Sequence, residues 1–263
     1  MSTVSILGCG WLGFELALIL LEKENYIIKA STTTIEKTAL LEKQNIIPFL
    51  INSNNLEIHD YILNDFLDCT ILIIAVPPKK ENKHYLTFLK QIMCHHNIPK
   101  IKQIIFISST SVYPEDEKNY TENELIREEN SSKKIVYKAE QILKNHVILR
   151  CAGLMGYDRI AGKYFANKIL KDKNAPVNYV HRDDVIAAIQ LIIKKEIRNN
   201  IYNLCCAKHP TKEEVYLSNV TKYGFEKPLF EGSEKEKERL IDGSKITREL
   251  GYEYIYHNPI DFI

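Results

Sequence analysis

Three glycines in "SILGCGWLG" (residues 5–13) are spaced for one kind of chemistry. Gly8, Gly10 and Gly13 make a GxGxxG run, a pattern that lays backbone amides against a pyrophosphate. Gly8 permits a tight turn, Gly10 lets phosphates approach the main chain, and Gly13 lets the next helix pack closely on the sheet. Trp11 and Leu12 stand at the first amides of that helix, where its dipole adds partial positive charge. Roughly 20 residues further on, a carboxylate would mark a site for the ribose 2′-hydroxyl of NAD. The chain has "ASTTTIEK" there instead. Ser31, Thr32 and Thr33 are hydroxyl donors and Lys37 is the nearest cation, so nothing repels a 2′-phosphate. The set points to NADP, with NAD as second choice. The same hydroxyls also suit a plain turn and helix cap.

Two other clusters carry titratable side chains. His95-His96 read as the solvated end of a helix, where neighbouring side chains diverge by about 100°, and no metal site is expected. "HRDD" (181–184) is either a charged clamp on a ligand or a helix start whose Asp183 or Asp184 caps amides.

These groups need elements to hold them. "TVSIL" (3–7) is a short apolar, β-branched run that predicts a buried strand, and "WLGFELALILLEKE" (11–24) has helical spacing. "YIIKAS" (26–31), "NIIPFLI" (45–51), "CTILIIAV" (69–76), "KQIIFISST" (102–110) and "VILRCAG" (147–153) read as further strands. "TIEKTALLEKQ" (34–44, with Thr34 as N-cap), "ENKHYLTFLKQIMCHH" (81–96) and "KKIVYKAEQILKNH" (133–146) read as helices. Strands alternating with helices predict an α/β fold, a Rossmann-like doubly wound parallel sheet. The glycine run then falls where the first strand meets the first helix. Ala75, Val76 and Pro77 close the fourth strand and Ser108 closes the fifth, and all four are assigned to the cofactor side.

Four segments in order resemble the extended short-chain dehydrogenases/reductases, the NAD-dependent epimerase/dehydratase family. They are "FISSTSVYP" (106–114), "VILRCAGLMG" (147–156), "VNYVHRDDVIAAI" (177–189) and "YNLCCAKHPTKEEV" (202–215). The resemblance implies a Rossmann core over residues 1–153 and a small C-terminal lobe over 154–263 that covers the cleft. It gives Ser109 as the family's catalytic Ser/Thr. It places Tyr113, Gly153, Tyr157, Arg159, Lys163, His181 and Arg182 on the substrate side; Tyr113 also suits packing. It also implies a homodimer through the helices at 81–96 and 133–146. Ile135, Ala139 and Ile142 would serve that contact or burial on the sheet equally well.

The departures are as informative. Extended members usually carry GxxGxxG in the first turn. Their catalytic Tyr-x-x-x-Lys pair falls here on Ser132 and Val136. Tyr137 and Lys138 are adjacent and cannot reproduce an i, i+4 pair. Tyr164/Lys168 and Tyr223/Lys227 have the spacing but lie in other parts of the chain. The pattern is similar to the atypical group, which keeps the fold and loses the pair.

Bulk properties narrow the classes. The 263 residues carry a net charge of +1, so no global field favours nucleic acid or an acidic membrane. No apolar run reaches the roughly 18–20 residues of a membrane span. Six cysteines include no CxxC, and all are read as reduced, in the cytoplasm. The polar stretch 231–240 reads as a solvated helix or loop. The leading expectation is an NADP-binding oxidoreductase or epimerase/dehydratase-like enzyme acting on a small molecule. A non-catalytic NADP(H) sensor or scaffold stays open beside it, as does a Rossmann turn with no ligand.

Overall fold

A computed structural model describes residues 2–24, 26–54, 57–78, 83–231 and 238–263. Residues 232–237 of the polar stretch lie outside the described residues. The chain runs β1 (Thr3–Leu7), α1 (Trp11–Glu24), β2 (Ile27–Thr32), α2 (Ile35–Lys43), β3 (Ile47–Leu50), α3 (Asp60–Phe66) and β4 (Ile71–Ile74). It continues through α4 (Tyr85–Met93), β5 (Gln103–Ser109), β6 (Asn119–Tyr120), α5 (Lys134–Ile142), β7 (Val147–Cys151), β8 (Gly153–Met155) and β9 (Ile169–Leu170). The remainder is β10 (Tyr179–His181), α6 (Arg182–Lys194), β11 (Asn200–Leu204), α7 (Lys212–Tyr223), β12 (Leu229–Phe230), β13 (Leu240–Ile241) and α8 (Lys245–Leu250).

Seven strands form one sheet in the order β11-β7-β5-β4-β1-β2-β3. The pairs β1–β2, β1–β4, β2–β3 and β4–β5 are parallel. That is doubly wound topology, with its switch point between β1 and β4. All four residues of β4 are buried, as expected of a central parallel strand covered on both faces. Leu72 and Ile74 join Phe66, Phe88, Ile104 and Ala139 in one core cluster, so α3, α4 and α5 cover that face. Ile135 and Ile142 pack against the same cluster, which is the sheet-facing arrangement their spacing allows. On β1, Leu7 belongs to this face and Ile6 points the other way, toward Gly13 of α1.

The chain divides into two compact units. The first comprises 1–108, 133–149 and 189–201; the second comprises 109–132, 150–188 and 202–263. The cut nearest residue 153 falls between Leu149 and Arg150. The sequence reading leaves α3 as unassigned chain. Its apolar residues Ile62, Leu63 and Phe66 do repeat at helical spacing, but over only seven helical residues. Thr34 occupies the N-cap position of α2 without a side-chain cap hydrogen bond. The α4 helix stops at Met93, so His95 and His96 lie beyond it. Their rings do not diverge as helix neighbours would; they stack with centroids 4.4 Å apart.

Candidate functional site

In the first unit, the glycine turn connects β1 to α1 at the sheet's switch point. Gly8 has φ +103°, and a Cβ there would meet the Ala75 and Val76 backbone at 2.9 Å. Only glycine takes that conformation without strain. A Cβ on Gly13 would stand 2.4 Å from the Gly8 carbonyl oxygen, so the helix can approach its own entry turn only without a side chain. Gly10 differs: nothing lies within 4 Å of its Cβ position. The turn is also anchored to β2. The Gly8 N–H donates to Ser31 Oγ at 2.8 Å, and the Cys9 N–H donates to the Ser31 carbonyl at 2.9 Å. Ser31 is therefore an acceptor that shapes the turn.

A cavity of about 280 Å³ opens over this turn. Gly8, Gly10, Ser31, Thr32, Thr33, Lys37, Ala75, Val76 and Pro77 line it, nine of the residues the sequence assigns to a cofactor. Trp11, Leu12 and Gly13 follow directly in α1 and are not on its wall. Lys37 is exposed at its edge. Cys9 also lines it; burial pushes its thiol up to about 12, with Lys37 pulling the other way. Sequence reasoning missed Asn52, Ser53 and Asn54, which follow β3 and complete the wall. The signal was available, because ligands in such sheets bind beyond the carboxyl ends of the strands and β3 ends at Leu50. Asn52 Oδ1 accepts from the Asn54 N–H at 3.0 Å, fixing this turn.

Ser108 is not on the cavity wall. Its hydroxyl donates to Glu140 Oε1 at 2.6 Å, with both residues buried. Val136, at the family's Lys position, is buried as well. In the second unit, Ser109 Oγ accepts from the Ser111 N–H at 3.1 Å. Ser132, at the family's Tyr position, donates to the Ser111 carbonyl at 2.7 Å. These hydroxyls hold the 109–112 turn.

The substrate-side candidates all lie in the second unit and separate into buried and accessible sets. Tyr113 is fully buried, and its hydroxyl donates to Asn203 Oδ1 at 2.8 Å and receives Arg150 Nη1 at 2.9 Å. Burial raises its pKa, and Arg150 opposes that shift. A phenol so enclosed and paired packs, which is the second of the two roles its position suits, and it offers no surface to a substrate. His181 is likewise buried, partly by Phe262, whose ring centroid lies 5.1 Å from its own. The Asp183 N–H donates to its Nδ1 at 3.3 Å, which leaves the proton of the neutral ring on Nε2, 3.2 Å from the Ile263 carbonyl. Burial lowers its pKa.

Asp184 does cap amides, though not those of its own helix. Its carboxylate accepts from the Ile255 N–H at 2.6 Å, the Tyr256 N–H at 3.2 Å and the Tyr252 hydroxyl at 2.8 Å. Gly153 lies under the Tyr179 ring, where a Cβ would meet Cδ1 at 2.4 Å. Tyr157, Arg159, Lys163 and Arg182 keep accessible surface. Tyr157 donates to Asp183 Oδ2 at 2.6 Å, and the Arg182 guanidinium lies 4.2 Å from its ring centroid. Among the described residues, no cluster of three His, Cys, Asp or Glu side chains could hold a metal, and no helix is long and apolar enough to cross a membrane.

No protein-family model matches the chain. Protein YeeZ of Escherichia coli (strain K12) is 32% identical to it over 270 residues, covering 99% of this chain and 98% of YeeZ. The chain belongs to the YeeZ family. Solved structures extend the likeness of this YeeZ relative at the level of fold. UDP-glucuronic acid 4-epimerase from Bacillus cereus, solved with NAD, superposes with a TM-score of 0.79 at 17% identity, over 99% of this chain and 94% of that one. A short-chain dehydrogenase/reductase superfamily protein from Agrobacterium tumefaciens, with bound NAD, gives 0.77 at 11%, over 97% and 93%. A functionally unknown conserved protein from Silicibacter pomeroyi gives 0.80 at 17%, over 99% and 96%. The Rossmann-like fold of these solved structures therefore spans nearly the whole YeeZ-family chain.

Proposed function

We propose that the cavity at the glycine turn holds a nicotinamide dinucleotide, NADP ahead of NAD, and that the chain is an oxidoreductase or epimerase/dehydratase-like enzyme acting on a small molecule. One observation carries this reading. Gly8 and Gly13 are sterically obligatory, whereas Gly10 lines the cavity with nothing within 4 Å of its Cβ position. A turn made only for chain reversal has no need of a glycine at position 10.

The residues present fit the group. The amides at Trp11 and Leu12 would take the pyrophosphate, and Thr32, Thr33 and Lys37 the adenosine ribose with its 2′-phosphate. Ala75, Val76 and Pro77 would line the way toward the nicotinamide. Neighbours solved with NAD support a dinucleotide. The lack of a carboxylate after β2 supports the phosphorylated form. When bound, such a cofactor supplies a hydride donor or acceptor. In the substrate half, the Ser109 hydroxyl would polarise a carbonyl or alcohol. Arg159 and Lys163 would favour an anionic molecule. With Ser132 and Val136 in place of the Tyr–Lys pair, the proton must move through another group. Six free cysteines suit the cytoplasm.

Calorimetry of the purified chain with NADPH and NADH tests the binding, and UDP-glucuronic acid, the neighbour's substrate, is the first turnover probe. Saturable heat with NADPH supports the reading; heat from neither cofactor overturns it. Tight NADPH binding with no turnover of UDP-glucuronic acid would remove that molecule as substrate and leave the sensor reading standing beside the enzyme reading.

A further inference from the structure

Residues 258–263 are held in the way a ligand is held. The Ile263 carbonyl oxygen accepts from the Tyr157 N–H and lies 3.2 Å from His181 Nε2. The Phe262 carbonyl accepts from Lys222 Nζ at 2.9 Å. The Phe262 side chain is only 6% exposed, and its ring centroid lies 5.1 Å from that of His181. Ile263 is 50% exposed. Neither a strand pairing nor an α-helix secures this stretch. It forms one 3₁₀ turn, Pro259–Asp261, capped by Asn258.

Two donors on one oxygen, a lysine on the next and an apolar slot between them make up a recognisable donor set. It suits a carboxylate joined to a phenyl-sized group. Tyr157 presents its N–H to the segment from left-handed backbone at φ 56°, an uncommon conformation for a non-glycine residue. The cavity left beside the segment is about 10 Å³, room for no more than one water. The segment therefore fills its site. Tyr157, Arg159 and Ile263 all line that remnant.

We propose that residues 258–263 are a built-in plug, occupying a site for an apolar carboxylate formed by Tyr157, His181 and Lys222, from which such a ligand displaces them. Every group involved lies in the second unit, so the proposal goes beyond the dinucleotide reading and stands without it.

The test uses the full chain, as wild type, Phe262→Ala and Asn258→Ala, with 3-phenylpropanoate as probe. Phe262→Ala empties the slot. Asn258→Ala loosens the turn without touching the site. Hydrogen exchange at the Tyr157 amide should quicken at least tenfold in Phe262→Ala and severalfold in Asn258→Ala. Calorimetry should show the probe binding at least tenfold tighter to Phe262→Ala than to wild type. If Phe262→Ala does not melt cooperatively, Asn258→Ala decides, with faster exchange and tighter probe binding both required. Unchanged Tyr157 exchange, or a probe bound no more tightly than by wild type, would show that the segment is plain architecture. NADPH binding, read at Trp11 in the same samples, succeeds or fails separately.

Discussion

The starts of α1 and α6 are both helix N-termini at strand ends, and they are treated in opposite ways. The first turn of α1 contains no acidic residue, and its entry turn faces a cavity of about 280 Å³. The first turn of α6 carries Asp183 and Asp184, and Asp184 is fully buried against the 252–256 segment. The α7 helix follows the second pattern, with Glu213, Glu214 and a complete capping box from Thr211. A helix dipole attracts negative charge to its N-terminus. The α6 and α7 helices supply that charge from their own sequence. The α1 helix does not, and it keeps space beside it. The α4, α5 and α8 helices also lack an acidic first turn, so what sets the start of α1 apart is the cavity beside its glycine turn.

Substitutions at the three glycines sharpen this contrast most. Gly10→Leu should weaken NADPH binding by more than about 100-fold, or ~2.7 kcal/mol. Its thermal midpoint should match wild type, because the side chain enters open space. A lowered midpoint with binding intact would mean that the open space has no ligand. Gly13→Ala should do the reverse. Its Cβ meets backbone at 2.4 Å, so denaturant titration should show a loss of about 1–3 kcal/mol. Lys37→Ala tests the phosphate preference alone. The ratio of NADPH to NADH affinity should fall from about tenfold toward unity, a change of ~1.4 kcal/mol, with NADH binding unchanged.

The smallest expected effect is the pH response of the α6 region. Burial lowers the pKa of His181 below its ordinary value. The folded state thus resists a proton that the unfolded chain accepts, so stability is full above the ordinary histidine pKa and falls as pH drops through it. Burial shifts His209 and His146 in the same direction. Each proton contributes at most about 1.4 kcal/mol per pH unit. Thermal midpoints should therefore decline below pH ~6.5, and His181→Gln should flatten the decline. An unaltered slope in that variant would take His181 out of the account.

Legibility in the sequence follows the same division. Backbone-made features could be read directly, because glycine is the residue that close approach requires. The α1 helix was placed to the residue, and nine cavity residues were named in advance. The 52–54 turn escaped because asparagine and serine mark turns of every kind. Side-chain features were read less well, since a residue type does not declare its partners. Tyr113 and His181 look like chemistry in a one-dimensional string. Only the fold supplies Arg150 and Asn203 to the first, and Ile263 and Asp183 to the second. The missing Tyr–Lys pair could be read because the family resemblance fixes where the pair would fall, and Ser132 and Val136 stand there.

The central claim, that the glycine turn cradles a dinucleotide, is tested most directly at Trp11, the only tryptophan, in the first turn of α1. Titration of the full chain with NADPH should quench its emission saturably, through contact and energy transfer to the reduced nicotinamide. NADH should do the same at about tenfold higher concentration, and Gly10→Leu should abolish both signals. Emission unchanged by either cofactor at millimolar concentration, with no heat in calorimetry, would contradict the account and leave the three glycines as a turn alone.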